Sequence, residues 1–258
     1  MNLRRTTIAA ALAVLGLYGG LILSLAWFLD PSTLRETLGS ARTLFSIRLS
    51  LVAASLAALL AILLAVPAAY GLSRYRFRFR ELVDTVLEFP IIVSPAALGA
   101  ILLIFFNNPV GEWVQDYGVR FVFTFLGIIL AQFVTVLGVA VRLLKTSFDE
   151  VPVELETVAR SLGATPRHAF FTVTLPLARR GLLAAFILSW AKALGEFGAT
   201  IMVAGTMAMR TETLPIAIFM RLAGADIEGT VALILVLVLT GLAALSLSRW
   251  LLGKVAHA

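Results

Sequence analysis

Six long apolar runs divide this chain and leave it few ways to fold. They lie at about 7–29, 47–72, 83–106, 121–144, 181–204 and 230–252. Each reaches or exceeds the ~20 residues that carry a helix through a ~30 Å hydrocarbon core. A helix satisfies its own backbone hydrogen bonds, so it can cross a layer that holds no water. The expected fold class is therefore all-α, a polytopic membrane protein with six transmembrane helices. Hydrophobic residues make up 60% of the chain and charged ones 14%, beyond the ~45–50% apolar share of a soluble domain. No connection is long enough for a soluble domain of ~50 residues, so residues 1–258 read as one membrane domain. The first run follows Arg4 and Arg5 and spans about 23 residues. That exceeds the 7–15 of a signal-peptide core, and the run reads as a retained span.

The composition also removes several chemistries. The chain has no cysteine and two histidines, His168 and His257. A disulfide framework, a thiolate nucleophile and a Cys/His metal cluster are excluded, and no metal site is expected. A membrane enzyme would need clustered His, Asp or Glu near one membrane face, and the two histidines do not supply it. The formal charge of +6 and the alternating tract Arg74-Tyr75-Arg76-Phe77-Arg78-Phe79-Arg80 could suggest nucleic acid. Beside a span, alternating arginines and aromatics read more simply as an anchor at lipid headgroups, so the expected contact is lipid and not nucleic acid.

Six spans put both termini on one side, and the basic residues choose it. One side carries Arg4, Arg5, Arg74, Arg76, Arg78, Arg80, Arg142, Lys145, Arg160, Arg167, Arg179, Arg180, Arg249 and Lys254, fourteen against six on the other. The positive-inside rule makes the richer side cytoplasmic, with both termini there.

That side also receives the polar insert, about residues 146–180. Pro152 suits a first helical turn, and Val151, Leu155, Val158 and Leu162 recur on one face. Gly163 supplies a stop, Thr165-Pro166 starts a second short helix, and Leu175-Pro176 ends it. Such a hairpin either docks its apolar stripe into a partner's groove or packs the stripe against its own spans.

Two spans carry charges away from their ends. The third contains Glu88, Pro90, Ser94 and Pro95, and is either a pathway helix or a kinked packing helix. In the fifth, Lys192 and Glu196 stand four apart and so are expected on one helix face. They read as a polar pathway lining or as an ion pair that fixes packing. Gly195 and Gly198 allow close helix approach, and Thr200 joins this set of pathway or packing candidates. Six spans without internal repetition are few for an alternating-access transporter, so two copies are expected to enclose one path as a homodimer.

The run Glu156-Thr157-Val158-Ala159-Arg160-Ser161-Leu162-Gly163, followed after eleven residues by Leu175-Pro176, resembles the EAA loop of permease subunits of binding-protein-dependent ABC importers. Glu156, Ala159, Gly163, Leu175 and Pro176 fit its pattern; Thr157 and Val158 stand where alanines are usual. The resemblance implies that this segment, Leu162 included, is the coupling helix seated in a cleft of a cytoplasmic ATPase. It implies too that the chain is not itself an enzyme: it has no Walker A motif, and ATP and Mg would be bound by the partner. An external solute-binding protein would deliver the cargo. The segment Ala193-Leu194-Gly195-Glu196-Phe197-Gly198-Ala199-Thr200, with Arg210-Thr211-Glu212-Thr213-Leu214-Pro215 beyond it, resembles molybdate and tungstate permeases of the inner membrane. Sulfate permeases carry a similar Gly-Glu-Phe-Gly element, so sulfate or thiosulfate is the alternative cargo. The rival class is an ion-coupled secondary transporter using Glu88, Lys192 and Glu196.

Overall fold

The computed structural model describes residues 3–116 and 118–256. His257 and the side chains of Arg249 and Lys254, three positions weighed above, lie outside the described residues. The chain is helical throughout. Helix α1 (Leu3–Ser24) ends in a 3-10 turn, Leu25–Phe28, and none of its residues is buried. Asp30 starts α2 (Pro31–Gly39) by accepting the Thr33 N–H at 2.8 Å, and Ser40 caps α3 (Ala41–Arg74) through the Thr43 N–H at 3.2 Å. At 34 residues α3 is ~51 Å long, well over a bilayer's core, so one end projects beyond it.

Helix α3 is the central pillar because of its alanines. Ala53, Ala57, Ala61, Ala65 and Ala69 recur every fourth residue, Ala54 and Ala58 widen the stripe, and all seven are fully buried. Without side-chain bulk the partner backbones come close, which in lipid is what drives helices together. The main partner is α7 (Phe125–Asp149), whose N-terminus Thr124 caps through the Gly127 N–H at 3.3 Å. Between them, α4 (Arg80–Ile92), α5 (Pro95–Phe106) and the short α6 (Pro109–Asp116) connect α3 to α7.

After α7 the insert forms α8 (Val153–Ser161), α9 (Pro166–Ala169), a π-helical turn over Phe170–Thr174, and α10 (Leu175–Leu177). Helix α11 (Arg179–Leu194) then packs on both α3 and α7, burying Ala185, Ala193 and Leu194. Helix α12 (Gly198–Ala204) lies against α5 and α7, α13 (Leu214–Ala223) against α3, and α14 (Ile227–Ala256) closes the order.

Four helical stretches among the described residues are long and apolar enough to cross a membrane, and six if each bent pair counts as one span. Two apolar runs are not the single helices that hydropathy alone suggests. The run 83–106 bends by 107° between α4 and α5, where Pro90 removes a helix donor and Ser94-Pro95 begins a new helix, Ser94 Oγ accepting the Ala97 N–H at 3.3 Å. The run 181–204 is interrupted at residues 195–197, so it too is two helices.

Candidate functional site

The insert leaves α7 through Val151, which is buried, and turns at Pro152 into α8. Helix α8 stops at Gly163, whose φ of +96° lies in the left-handed region that glycine enters without a Cβ clash. Its N–H donates to the Arg160 carbonyl at 3.0 Å, and the next N–H, of Ala164, reaches back to Ala159 at 3.1 Å. Together these end the helix in a glycine C-cap. Thr165 Oγ1 then accepts the His168 N–H at 3.2 Å with Pro166 in the first turn of α9. The limb returns through Leu175-Pro176, where the chain from Pro166 to Leu177 meets α11 at 71°.

One carboxylate fastens this hairpin to the end of α3. Glu156 is 8% exposed and accepts from Tyr70 Oη at 2.8 Å, Arg74 Nε at 2.8 Å and Thr174 Oγ1 at 2.5 Å. The Arg74 guanidinium, itself buried, also donates to the Val151 carbonyl at 2.8 Å. Helix α3, the start of α8 and the returning limb thus share one polar node. Tyr70 is seated by Phe148 and Phe170, its ring centroid 6.0 and 4.6 Å from theirs in edge-on contacts. Burial pushes the Glu156 carboxyl up, but the hydrogen bonds from Thr174, Arg74 and Tyr70 outweigh it and hold the group below its ordinary range. At neutral pH it is an anion fixed by three donors.

Because Glu156 points inward, the opposite face of α8 points out. Leu155, Val158 and Leu162 are 44%, 57% and 85% exposed. With Ala159, and with Thr172 and Pro176 of the returning limb, they border an open groove of about 400 Å³. Of the stripe anticipated on this hairpin, only Val151 joins the protein's own core. The rest is free to meet another surface. Glu156, Ala159, Leu162, Gly163, Leu175 and Pro176 are all in this one unit, Glu156 as its internal fastening and Gly163 as its turn.

The charged residues of the spans are arranged differently from the sequence expectation. Lys192 and Glu196 do not share a helix face, because α11 ends at Leu194 and Gly195 caps it. Lys192 is exposed, whereas Glu196 is 5% exposed and accepts the Ala199 N–H at 3.0 Å, capping the start of α12. No ion pair between the two occurs among the described residues. Gly195 meets no neighbouring helix, since a Cβ there would lie 3.8 Å from the nearest carbonyl, that of Ala191. Gly198 is the close-approach glycine: a Cβ would stand 2.8 Å from the Ala96 backbone nitrogen, and at Gly99 one would stand 2.7 Å from the Ala199 Cα. Thr200 is fully buried on α12, with no hydrogen-bond partner for its hydroxyl among the described residues. Glu88 on α4 pairs with Arg142 on α7 at 3.0 Å, both side chains half exposed or more.

A further buried anion anchors the segment before α13. Glu212, fully buried between the equally buried Thr211 and Thr213, takes a bidentate pair from Arg42 at 2.7 and 2.6 Å. The Leu214 N–H donates to Ser50 Oγ at 2.6 Å. Sequence reasoning missed Arg42, Ser50, Tyr70 and Thr174 as partners, and it read Arg74 as part of a lipid-headgroup anchor, whereas Arg74 is buried on Glu156 and the Val151 carbonyl. The available signal was Tyr70 and Arg74 one turn apart at the polar end of a span, which says that they face one way but not toward what.

The family described as "Binding-protein-dependent transport system inner membrane component" matches residues 57–257. The molybdenum transport system permease protein ModB of Haemophilus influenzae is 36% identical over 211 residues, 80% of this chain and 92% of its own length. ModB of Escherichia coli K12 is 33% identical over the same shares, 80% and 92%. The sulfate transport system permease protein CysT of E. coli K12 is 37% identical over 156 residues, covering 60% of this chain and 56% of its own length. A crystallised bacterial alginate ABC transporter, in complex with an alginate-bound periplasmic protein, contains a chain that superposes with a TM-score of 0.76 over 96% of this chain and 94% of its own, at 14% identity. That last likeness is one of fold.

Proposed function

This chain belongs to the binding-protein-dependent inner membrane transport components, and from that membership we propose that it is the permease of an ATP-driven molybdate importer. The observation that carries the cargo is the extent of likeness to molybdenum permeases, which spans 77–92% of their length, against 56% for the sulfate permease. Tungstate, of the same shape and charge, belongs to the same cargo class.

Family membership and the exposed stripe of α8 support a division of labour. The permease hydrolyses nothing; a separate ATPase binds ATP and Mg. An external binding protein presents the oxyanion to the outer connections, and two copies of the chain enclose the path. The termini and the 146–180 insert lie in the cytoplasm. There the exposed Leu155, Val158 and Leu162 seat in the ATPase, a helix-in-groove contact. Glu156 does not reach that partner. Through Tyr70 and Arg74 it makes α8 move with α3, so a displacement of the hairpin is carried directly to the longest helix of the fold. A dianion crossing the membrane needs only weak, transient contacts, and a buried Glu196 turned onto a helix N-terminus presents no bare negative charge to it.

The test is reconstitution. Permease, ATPase and binding protein together in proteoliposomes should take up labelled molybdate only with ATP, tungstate competing better than sulfate. Uptake by the permease alone would sink the importer reading in favour of an ion-coupled transporter. Sulfate competing more strongly than tungstate would transfer the chain to sulfate.

A further inference from the structure

The hairpin borders a second groove, on the side away from its exposed stripe. A cavity of about 520 Å³ lies between the last turns of α3 and the returning limb, walled by Val66, Pro67 and Tyr70 on one side and by Phe170, Phe171 and Leu175 on the other. Along α3 it runs from Ile62 to Tyr75. That is thirteen residues or ~20 Å, more than the ~15 Å depth of one leaflet's hydrocarbon. Leu63 and Phe171 on its rim are 62% and 63% exposed, so it is open to what surrounds the spans.

The groove ends at positive charge. Arg167 borders it directly, and the residue after Tyr75 begins a second cavity of about 460 Å³ lined by Arg76, Phe77, Arg78, Arg80 and Glu81. Among the described residues no carboxylate pairs with Arg76, Arg78, Arg80 or Arg167. An apolar slot of leaflet depth, finished by unpaired arginines at the level where headgroups sit, has the shape and charge of an anionic phospholipid.

We propose that groove and basic cavity are one site for an anionic phospholipid, an acyl chain lying between α3 and the returning limb and the phosphate held by Arg76 and Arg167. A neutral lipid would fill the slot but leave the cations uncompensated, so the site selects by charge. The lipid touches both parts that Glu156 fastens together and would steady the hairpin against α3. The inference rests on the reading that this end faces the cytoplasm, where anionic headgroups and basic residues meet.

Titration of the detergent-purified permease, with and without its ATPase, against phosphatidylglycerol and phosphatidylcholine, read by native mass spectrometry, tests it. Phosphatidylglycerol should bind more tightly, with Arg76→Gln and Arg167→Gln each weakening it roughly fivefold and the double variant about 25-fold. Phosphatidylcholine should be unchanged. Both arginines are exposed, so the variants should fold; Val66→Trp, which fills the slot, should lower retention of both lipids. Equal binding of the two lipids, undiminished binding by the glutamine variants, or complete displacement by the ATPase would overturn the site. Orientation is read separately: the chain lacks cysteine, so a single Ser161→Cys reports by impermeant thiol labelling which side the hairpin occupies. Labelling from outside would remove the cytoplasmic reading while leaving the lipid preference to stand or fall on the titration.

Discussion

Glu156 shows how one residue can match a motif and act differently from what the motif suggests. Its place in an acidic helix with an exposed apolar stripe invites the idea of a charge offered to an ATPase, yet its carboxylate is spent inside the protein on Tyr70, Arg74 and Thr174. Glu156→Ala would leave the buried Arg74 guanidinium uncompensated, a loss of about 3–5 kcal/mol for a broken buried pair. Proteolysis of the hairpin should become markedly faster as α8 comes free. Glu156→Gln keeps the side chain's shape but not the charge and should fall between. The pH dependence has a definite sign. With its pKa held below the ordinary 4.5, the carboxylate contributes its full stabilisation at neutral pH and loses it only as pH falls through that depressed value. Hairpin protection should therefore be flat from pH 7 to 5 in the wild type and decline at greater acidity, while Glu156→Gln shows no such decline. The sequence displayed Glu156 and its spacing to Gly163. It could not display the partners, because Tyr70 and Arg74 lie 86 and 82 residues away and only the fold brings them together.

Among the elements, α8 and the α5–α12 pair separate docking from packing. Leu162→Asp changes a side chain that is 85% exposed, so stability should move by no more than ~0.5 kcal/mol. If the stripe seats in the ATPase, ATP-dependent uptake should nonetheless fall roughly tenfold, the equivalent of 1.4 kcal/mol at an interface. Uptake at the wild-type rate would remove Leu162 from that contact. Gly198→Ala should behave in the reverse way. Its new methyl would meet the Ala96 backbone 2.8 Å away, and backbone in a helix start cannot swing aside as a side chain can. Overpacking of this kind costs about 1–3 kcal/mol, visible as a lower melting temperature of the purified protein. Gly195→Ala, with no neighbour closer than 3.8 Å, should be nearly neutral. From sequence the two glycines were equivalent, since a small residue in an apolar run says that approach is allowed and not where it happens. The helical break at 195–197 was hidden for the same reason. Apolar residues continue on both sides of it, and at the break Glu196 turns to cap α12 instead of continuing the face of Lys192.

For the whole molecule, apolar run length made the helical membrane fold legible, while the 107° bend after α4 was legible only as the prolines that permit it. Orientation depends on an aggregate, the excess of arginine and lysine at one end, and no single contact decides it. The bonds around Glu156 lend it a structural correlate: Arg74, at the C-terminal end of α3, and the 146–180 insert are one body, so they must lie on the same side. A cysteine-free chain makes this directly testable. In right-side-out vesicles, Ser161→Cys should resist an impermeant maleimide until the membrane is opened. Val119→Cys, exposed in the connection between α6 and α7, should label at once. Since α7 alone separates the two positions, equal access from one side would mean that α7 does not cross. The hairpin would then have no route to a cytoplasmic ATPase, and the work of ATP no mechanical path into α3.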